Sequence, residues 1–185
     1  MLFKFKVEAD TQLVFHVRSG RLQDKIHDLQ QHADPVITLK NSAGVDLALV
    51  DNYFFADPLL HYHFQQAGEY YLEIRDVRYQ GNQYWQYSIE INDRPLVTTV
   101  HPLHAQPGSE TPVELVGFNL PAGARASVSL PGDVPPGAPL VTIETGNGTR
   151  YPVQMEVSPL PGVLEAEGDN NTPAAAQSIP VPVAV

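Results

Sequence analysis

The chain has no cysteine in its 185 residues, which rules out both a disulfide framework and a thiolate zinc site. It is also short of positive charge. Eleven Lys and Arg stand against twenty-one Asp and Glu, for a net charge of −10, so the chain repels phosphate backbones and offers no basic stripe for nucleic acid. Long apolar runs are missing as well. No stretch approaches the roughly twenty residues that a membrane-spanning helix requires, so no membrane insertion is expected. Met1 is followed by Leu2-Phe3-Lys4-Phe5-Lys6 rather than by a basic and then apolar leader, which places any export signal outside this chain. Catalytic signatures are absent too. There is no Gly-x-Ser-x-Gly, no lysine-bearing glycine-rich phosphate loop and no His-Glu-x-x-His, so no triad or dyad can be assembled and the chain is expected not to be an enzyme.

What the chain does contain is period-two alternation. It runs through Leu2–Val7, Leu13–Val17, Val36–Leu39, Leu47–Leu49, His61–Phe64, Tyr70–Ile74 and Tyr87–Ile91, with Asn, Asp and Gly turns between. Seven short strands at this spacing predict a β-sandwich. One stretch departs from the pattern: Leu22, Ile26 and Leu29 are spaced as one helix face, which predicts a single short helix over residues 21–32. Asp93-Arg94-Pro95 then opens a Pro/Gly-rich region of low aromatic content. Strands are predicted there at Val97–Val100, Thr111–Val116, Ala126–Leu130, Leu140–Ile143 and Val153–Val157, enough for a small Ig-like sandwich. The fold class is therefore all-β, with two antiparallel sandwich domains over residues 1–92 and 93–161. Residues 162–185 read as a linker leading into one more strand.

The first 92 residues resemble the bacterial pre-peptidase C-terminal domain. The pieces that carry the resemblance are Phe3-Lys-Phe-Lys-Val-Glu-Ala, Gln12-Leu-Val-Phe-His-Val, Ala33-Asp-Pro-Val-Ile-Thr-Leu, Ala43-Gly-Val-Asp-Leu-Ala, Ala56-Asp-Pro-Leu-Leu and Ala67-Gly-Glu-Tyr-Tyr-Leu-Glu-Ile-Arg-Asp. Residues 95–160 are similar to an IPT/TIG-type Ig-like module, through Val97-Thr-Thr-Val-His-Pro-Leu and Pro107-Gly-Ser-Glu-Thr-Pro-Val-Glu-Leu-Val-Gly-Phe-Asn-Leu. The tail from Glu165 resembles the acidic opening of another repeat of the first kind. Together these resemblances imply a fragment of a repeat-containing secreted bacterial protein, placed outside the cell, in the periplasm or on the cell envelope. They also imply that the first domain lacks a preceding strand, leaving an edge that Ile179–Val185 can complement within the chain or in a strand-swapped homo-oligomer. A disordered proline-rich tail is the alternative.

Three groups of residues are candidates for a site. Asp34, Asp51, Asn52 and Asp57 sit on turns as hard oxygen donors of the kind calcium takes. The resemblance points to the same positions, with Asn52 where relatives often carry a second aspartate; turn formation accounts for these residues equally well. Tyr79, Tyr84 and Trp85, beside Gln80-Gly81-Asn82-Gln83, have the make-up of a sugar-stacking platform. Trp85 and Tyr87 alternate, which equally predicts a core face. His61 and His63 share a strand face and need a third ligand to hold a metal, while His101 and His104 are expected in solvent. Two functions follow. One is a non-catalytic accessory module binding carbohydrate, matrix or protein, and the other is a structural spacer or folding module for a neighbouring domain.

Overall fold

The computed structural model describes residues 1–20, 22, 32–81, 85–145, 148–166, 168 and 170–184. Among these residues the chain is all-β, with fourteen strands and no helix. The helix expected over residues 21–32 falls outside the described residues, apart from Leu22 and His32. Two compact units divide the chain, Met1–Arg94 and Pro95–Val185.

The first unit holds β1 (Leu2–Val7), β2 (Thr11–Arg18), β3 (Pro35–Asn41), β4 (Asp46–Val50), β5 (Leu59–Phe64), β6 (Gly68–Asp76) and β7 (Ser88–Asn92). They form two antiparallel sheets, ordered β1-β6-β3-β4 and β5-β2-β7. Residues of both sheets build one core. Phe15 and Val17 of β2 and Leu60 and Phe64 of β5 cluster with Ile37 and Leu39 of β3 and Leu72 and Ile74 of β6. The alternation seen in the sequence is the cause, because successive strand residues face opposite ways and every second apolar side chain leaves water. Aromatic edges tighten the packing: Phe64 meets Tyr70 at 4.6 Å and Tyr62 at 4.9 Å between ring centroids, both T-shaped.

Strand register sorts the connections. Turns 8–10, 42–45 and 65–67 gather at one end of the unit, where Val7 pairs with Gly68 and Thr11 with Phe64. The other three connections leave their strands at Arg18, Val50 and Asp76 at the opposite end, where Pro35 pairs with Asp76 and Arg18 with Ser88. Tight turns thus occupy one end, and the described residues that flank the longer connections lie at the other. Surface connections carry function more often than the sheets that position them, so the second end is the place to look.

The second unit holds β8 (Leu96–His101), β9 (His104–Ala105), β10 (Glu110–Phe118), β11 (Arg125–Ser129), β12 (Leu140–Glu144), β13 (Arg150–Gln154) and β14 (Glu156–Val157). Three strands form the sheet β11-β10-β8, β12 and β13 form a hairpin, and β9 pairs in parallel with β14. The core gathers Val97 and Val100 with Val113, Leu115, Val128, Ile143, Val153, Met155 and Val157. The Tyr151 hydroxyl donates to the Pro95 carbonyl. A bulge between Val116 and Gly117 shifts the β8–β10 register; a Cβ on Gly117 would lie 1.9 Å from the Leu96 oxygen, so only glycine fits that close approach.

The segment expected to be a linker folds back on itself. Val163 N–H donates to Ala184 O and Ala184 N–H to Pro161 O, both at 2.9 Å. The Gln177 side chain then clips Leu164 O and Ala166 N–H, at 2.9 and 2.7 Å. This segment belongs to the second unit. Among the described residues of the expected donor strand, Ala184 makes a parallel bridge to Gly162.

Candidate functional site

At the long-connection end of the first unit, two buried aspartates fix the backbone. Asp57 is 1% exposed, and its Oδ1 accepts the N–H groups of Ser19 (2.7 Å) and Gly20 (2.8 Å). A carboxylate is affordable there because charge-assisted bonds to backbone N–H replace its water. Phe54 and Asp57 exchange both backbone hydrogen bonds at 3.1 Å, closing a tight turn with Phe55 at its first central position. The Phe54 ring tucks against His16, 5.6 Å between centroids. Phe55 does the opposite: it is 98% exposed at φ = 55°, a left-handed conformation that a bulky side chain adopts only at a cost.

Asp76 holds the neighbouring connection. It ends β6 in the inward phase of Leu72 and Ile74, so the pleat carries its carboxylate to the rim of the core. Asp34 N–H donates to its Oδ2 (3.0 Å), Arg78 N–H to its Oδ1 (2.9 Å), and the Arg78 guanidinium lies 3.2 Å from Oδ2. Burial works to raise the pKa of Asp76, but the Arg78 side chain and the N–H groups of Asp34, Arg78 and Gln80 outweigh it and lower the value to about 2. Asp76 is therefore ionised at neutral pH.

Arginines connect this anchor to the aromatics. Arg78 donates to His32 O at 2.8 Å and lies over the Trp85 ring, 5.9 Å from its centroid. Arg75 lies 4.5 Å from the centroid of Tyr79, which is 78% exposed and has φ = 56°. Ser19 closes the circuit, giving its hydroxyl to Gln86 O at 2.9 Å. A continuous chain of contacts thus runs from Asp57 through Ser19, Gln86, Trp85 and Arg78 to Asp76 and Asp34. Tyr87 reaches the same end of β1, with its hydroxyl 2.7 Å from Met1 Sδ.

The residues expected to matter divide accordingly. Asp34, Asp51, Asn52, Asp57, Tyr79 and Trp85 all lie in the three long connections, while Tyr84 falls outside the described residues. Asp57 and the backbone of Asp34 serve the scaffold, and Asp51 and Asn52 are exposed. Among the described residues, no three His, Asp or Glu side chains gather as a metal-sized group, and Asp57 Oδ1 already faces two N–H donors where a cation would have to sit. Trp85 and Tyr87 precede β7 and are absent from the core cluster, so their alternation is not a core face. His61 and His63 share the outward face as expected, but His61 Nε2 sits 3.2 Å from Gln12 and His63 Nε2 3.0 Å from Asp10, each with its own neighbour.

Two residues escaped sequence reasoning. Asp76 could have been found by extending the inward phase Tyr70, Leu72, Ile74 one step further. His104, expected in solvent, is half-buried, with its Nε2 enclosed; no local signal marks it, because β14 lies fifty residues away in sequence. No family model, curated protein or solved structure matches the chain.

Proposed function

We propose that the first unit is a β-sandwich binding module of a secreted or cell-envelope bacterial protein, and that its long-connection end holds carbohydrate, with a protein surface as the alternative occupant. The observation that carries this reading is the pairing of buried anchors with two exposed rings, Phe55 and Tyr79, and a half-buried one, Trp85. Asp57 and Asp76 fix the backbone from inside, while Phe55, Tyr79 and Trp85 stand at the same end outside the core. Anchored loops lose little freedom on binding, which favours affinity. A pyranose presents its C–H face to a ring, and guanidinium and amide groups beside the ring satisfy its hydroxyls. Arg75 and Arg78 already lie against Tyr79 and Trp85, which puts guanidinium groups beside the rings.

The resemblance to the pre-peptidase C-terminal domain supports the same reading, since seven strands in two sheets over one core suit it. For the second unit, an Ig-like sandwich is the finer form of the observed all-β fold. No catalytic role is proposed.

Affinity electrophoresis in gels containing soluble polysaccharides tests the function. Retardation by at least one polymer, abolished by Trp85→Ala or Tyr79→Ala with the fold intact, is the expected result. Unretarded migration in every polymer, together with stabilisation of a neighbouring domain in the parent protein, would leave the spacer reading instead.

A further inference from the structure

The two flanks of the first unit differ. At one flank β4 and β5 lie side by side, and the inward side chains Leu60 and Phe64 of β5 are buried. The other flank is bounded by β1 and β7, the outermost strands of the two sheets there. Phe5, Val7 and Ile89 of these strands pack on the core, so Phe3 and Ile91 share the inward phase. Register sets Phe3 beside Leu72 and Ile91 beside Phe15, both fully buried. Phe3 and Ile91 are nevertheless 38% and 40% exposed. The core is therefore open to water along this flank.

The edge of β1 has hydrogen-bonding capacity to spare. Met1 and Ile74 exchange both backbone hydrogen bonds, at 2.7 and 2.9 Å. In an antiparallel ladder the pattern alternates, so Phe3, Phe5 and Val7 turn their backbone groups to β6, and Leu2, Lys4 and Lys6 turn theirs to the open side. A strand laid along this edge would find donors, acceptors and an apolar inner row.

Charge decides which strand. Lys4 and Lys6 point outward from β1, and Lys4 is bridged to Glu69 at 2.8 Å, so Lys6 is the cation left to a partner. On β7 the outward residue is Glu90, opposite His16, with its carboxylate held in place by Arg18 at 3.1 Å and Asn92 at 2.9 Å. An antiparallel pairing of β1 with its own copy would set lysine against lysine in any register that keeps the apolar row inside, which is unfavourable. A two-fold axis parallel to the strands avoids this. It exchanges the two layers, so β1 meets β7 of the second copy in one sheet and β7 meets its β1 in the other. Both strands run from the long-connection end to the tight-turn end, which makes these pairings parallel.

We propose that the first unit dimerises through this flank, with β1 of each copy pairing with β7 of the other, Lys6 facing Glu90 of the second copy, and Phe3 and Ile91 of both copies closed into a continuous core. The interface is isologous and closes at two copies. It lies along the flank, apart from the proposed carbohydrate site.

Sedimentation equilibrium of the full chain, with amide hydrogen exchange read over the same concentrations, tests the proposal. A monomer–dimer equilibrium is expected, with exchange at Leu2, Lys4 and Lys6 slowed at least about tenfold as the dimer forms. Lys6→Glu and Glu90→Lys should each weaken association about tenfold, and the double variant should recover most of it, which a loss of folding would not produce. Ile91→Lys should leave a folded monomer. A chain that stays monomeric at millimolar concentration would overturn the proposal, as would dimers whose Leu2, Lys4 and Lys6 amides exchange fast. Protection of those amides that ignores concentration would assign the edge to a strand of the same chain, and association tightened by Lys6→Glu would assign it to β1 of the second copy; either result also overturns it.

Discussion

Asp57 keeps its carboxylate out of water against the backbone N–H groups of Ser19 and Gly20. Asp57→Ala would take the acceptor from the buried Ser19 N–H, a loss of about 1–3 kcal/mol. Urea unfolding of residues 1–94 should show it as a lower midpoint with an unchanged slope. Asp76 acts through pH. Its folded pKa of about 2 lies below its ordinary value of 3.8, so the stability it contributes is fully present above 3.8 and is lost as pH falls through 2. Asp76→Asn should therefore be less stable than the parent at neutral pH, with the difference shrinking as acid is added. A constant difference down to pH 2 would contradict the assignment.

Among the elements, the turn at Phe54–Asp57 stores strain that its exposed ring does not relieve. Phe55→Gly suits φ = 55° and should leave the first unit equally stable or stabilise it by up to about 1 kcal/mol, while weakening ligand binding. Opposite signs for stability and binding mark a residue kept for contact rather than for folding. Gly117→Ala runs the other way: its methyl would meet the Leu96 carbonyl, and the second unit should lose stability, as its melting temperature will report. The seven strands of the first unit were legible because half-buried strands write their burial as alternation. Trp85 and Tyr87 misled for the same reason: they alternate, but β7 begins only at Ser88. Loops write no such period. That three loops share an end follows from strand register, and the enclosure of His104 follows from pairing with the distant Glu156, neither of which a local pattern records. The closed C-terminal loop was illegible for a related reason, since Gln177 clips backbone groups that any residue could supply.

At the scale of the molecule, each unit has its own core cluster. Residues 1–94 alone should fold and retain polysaccharide binding. The chain contains one tryptophan, and Trp85 lies within the proposed binding end, so its fluorescence reports that end without a label. The most direct measurement is the emission of Trp85 during titration with oligosaccharides derived from the polymer that retards the protein most. A saturable shift in emission, lost in Tyr79→Ala and weakened in Phe55→Gly at unchanged fold, is the predicted result. Emission that stays constant while the oligosaccharide binds would place the ligand elsewhere and contradict the account.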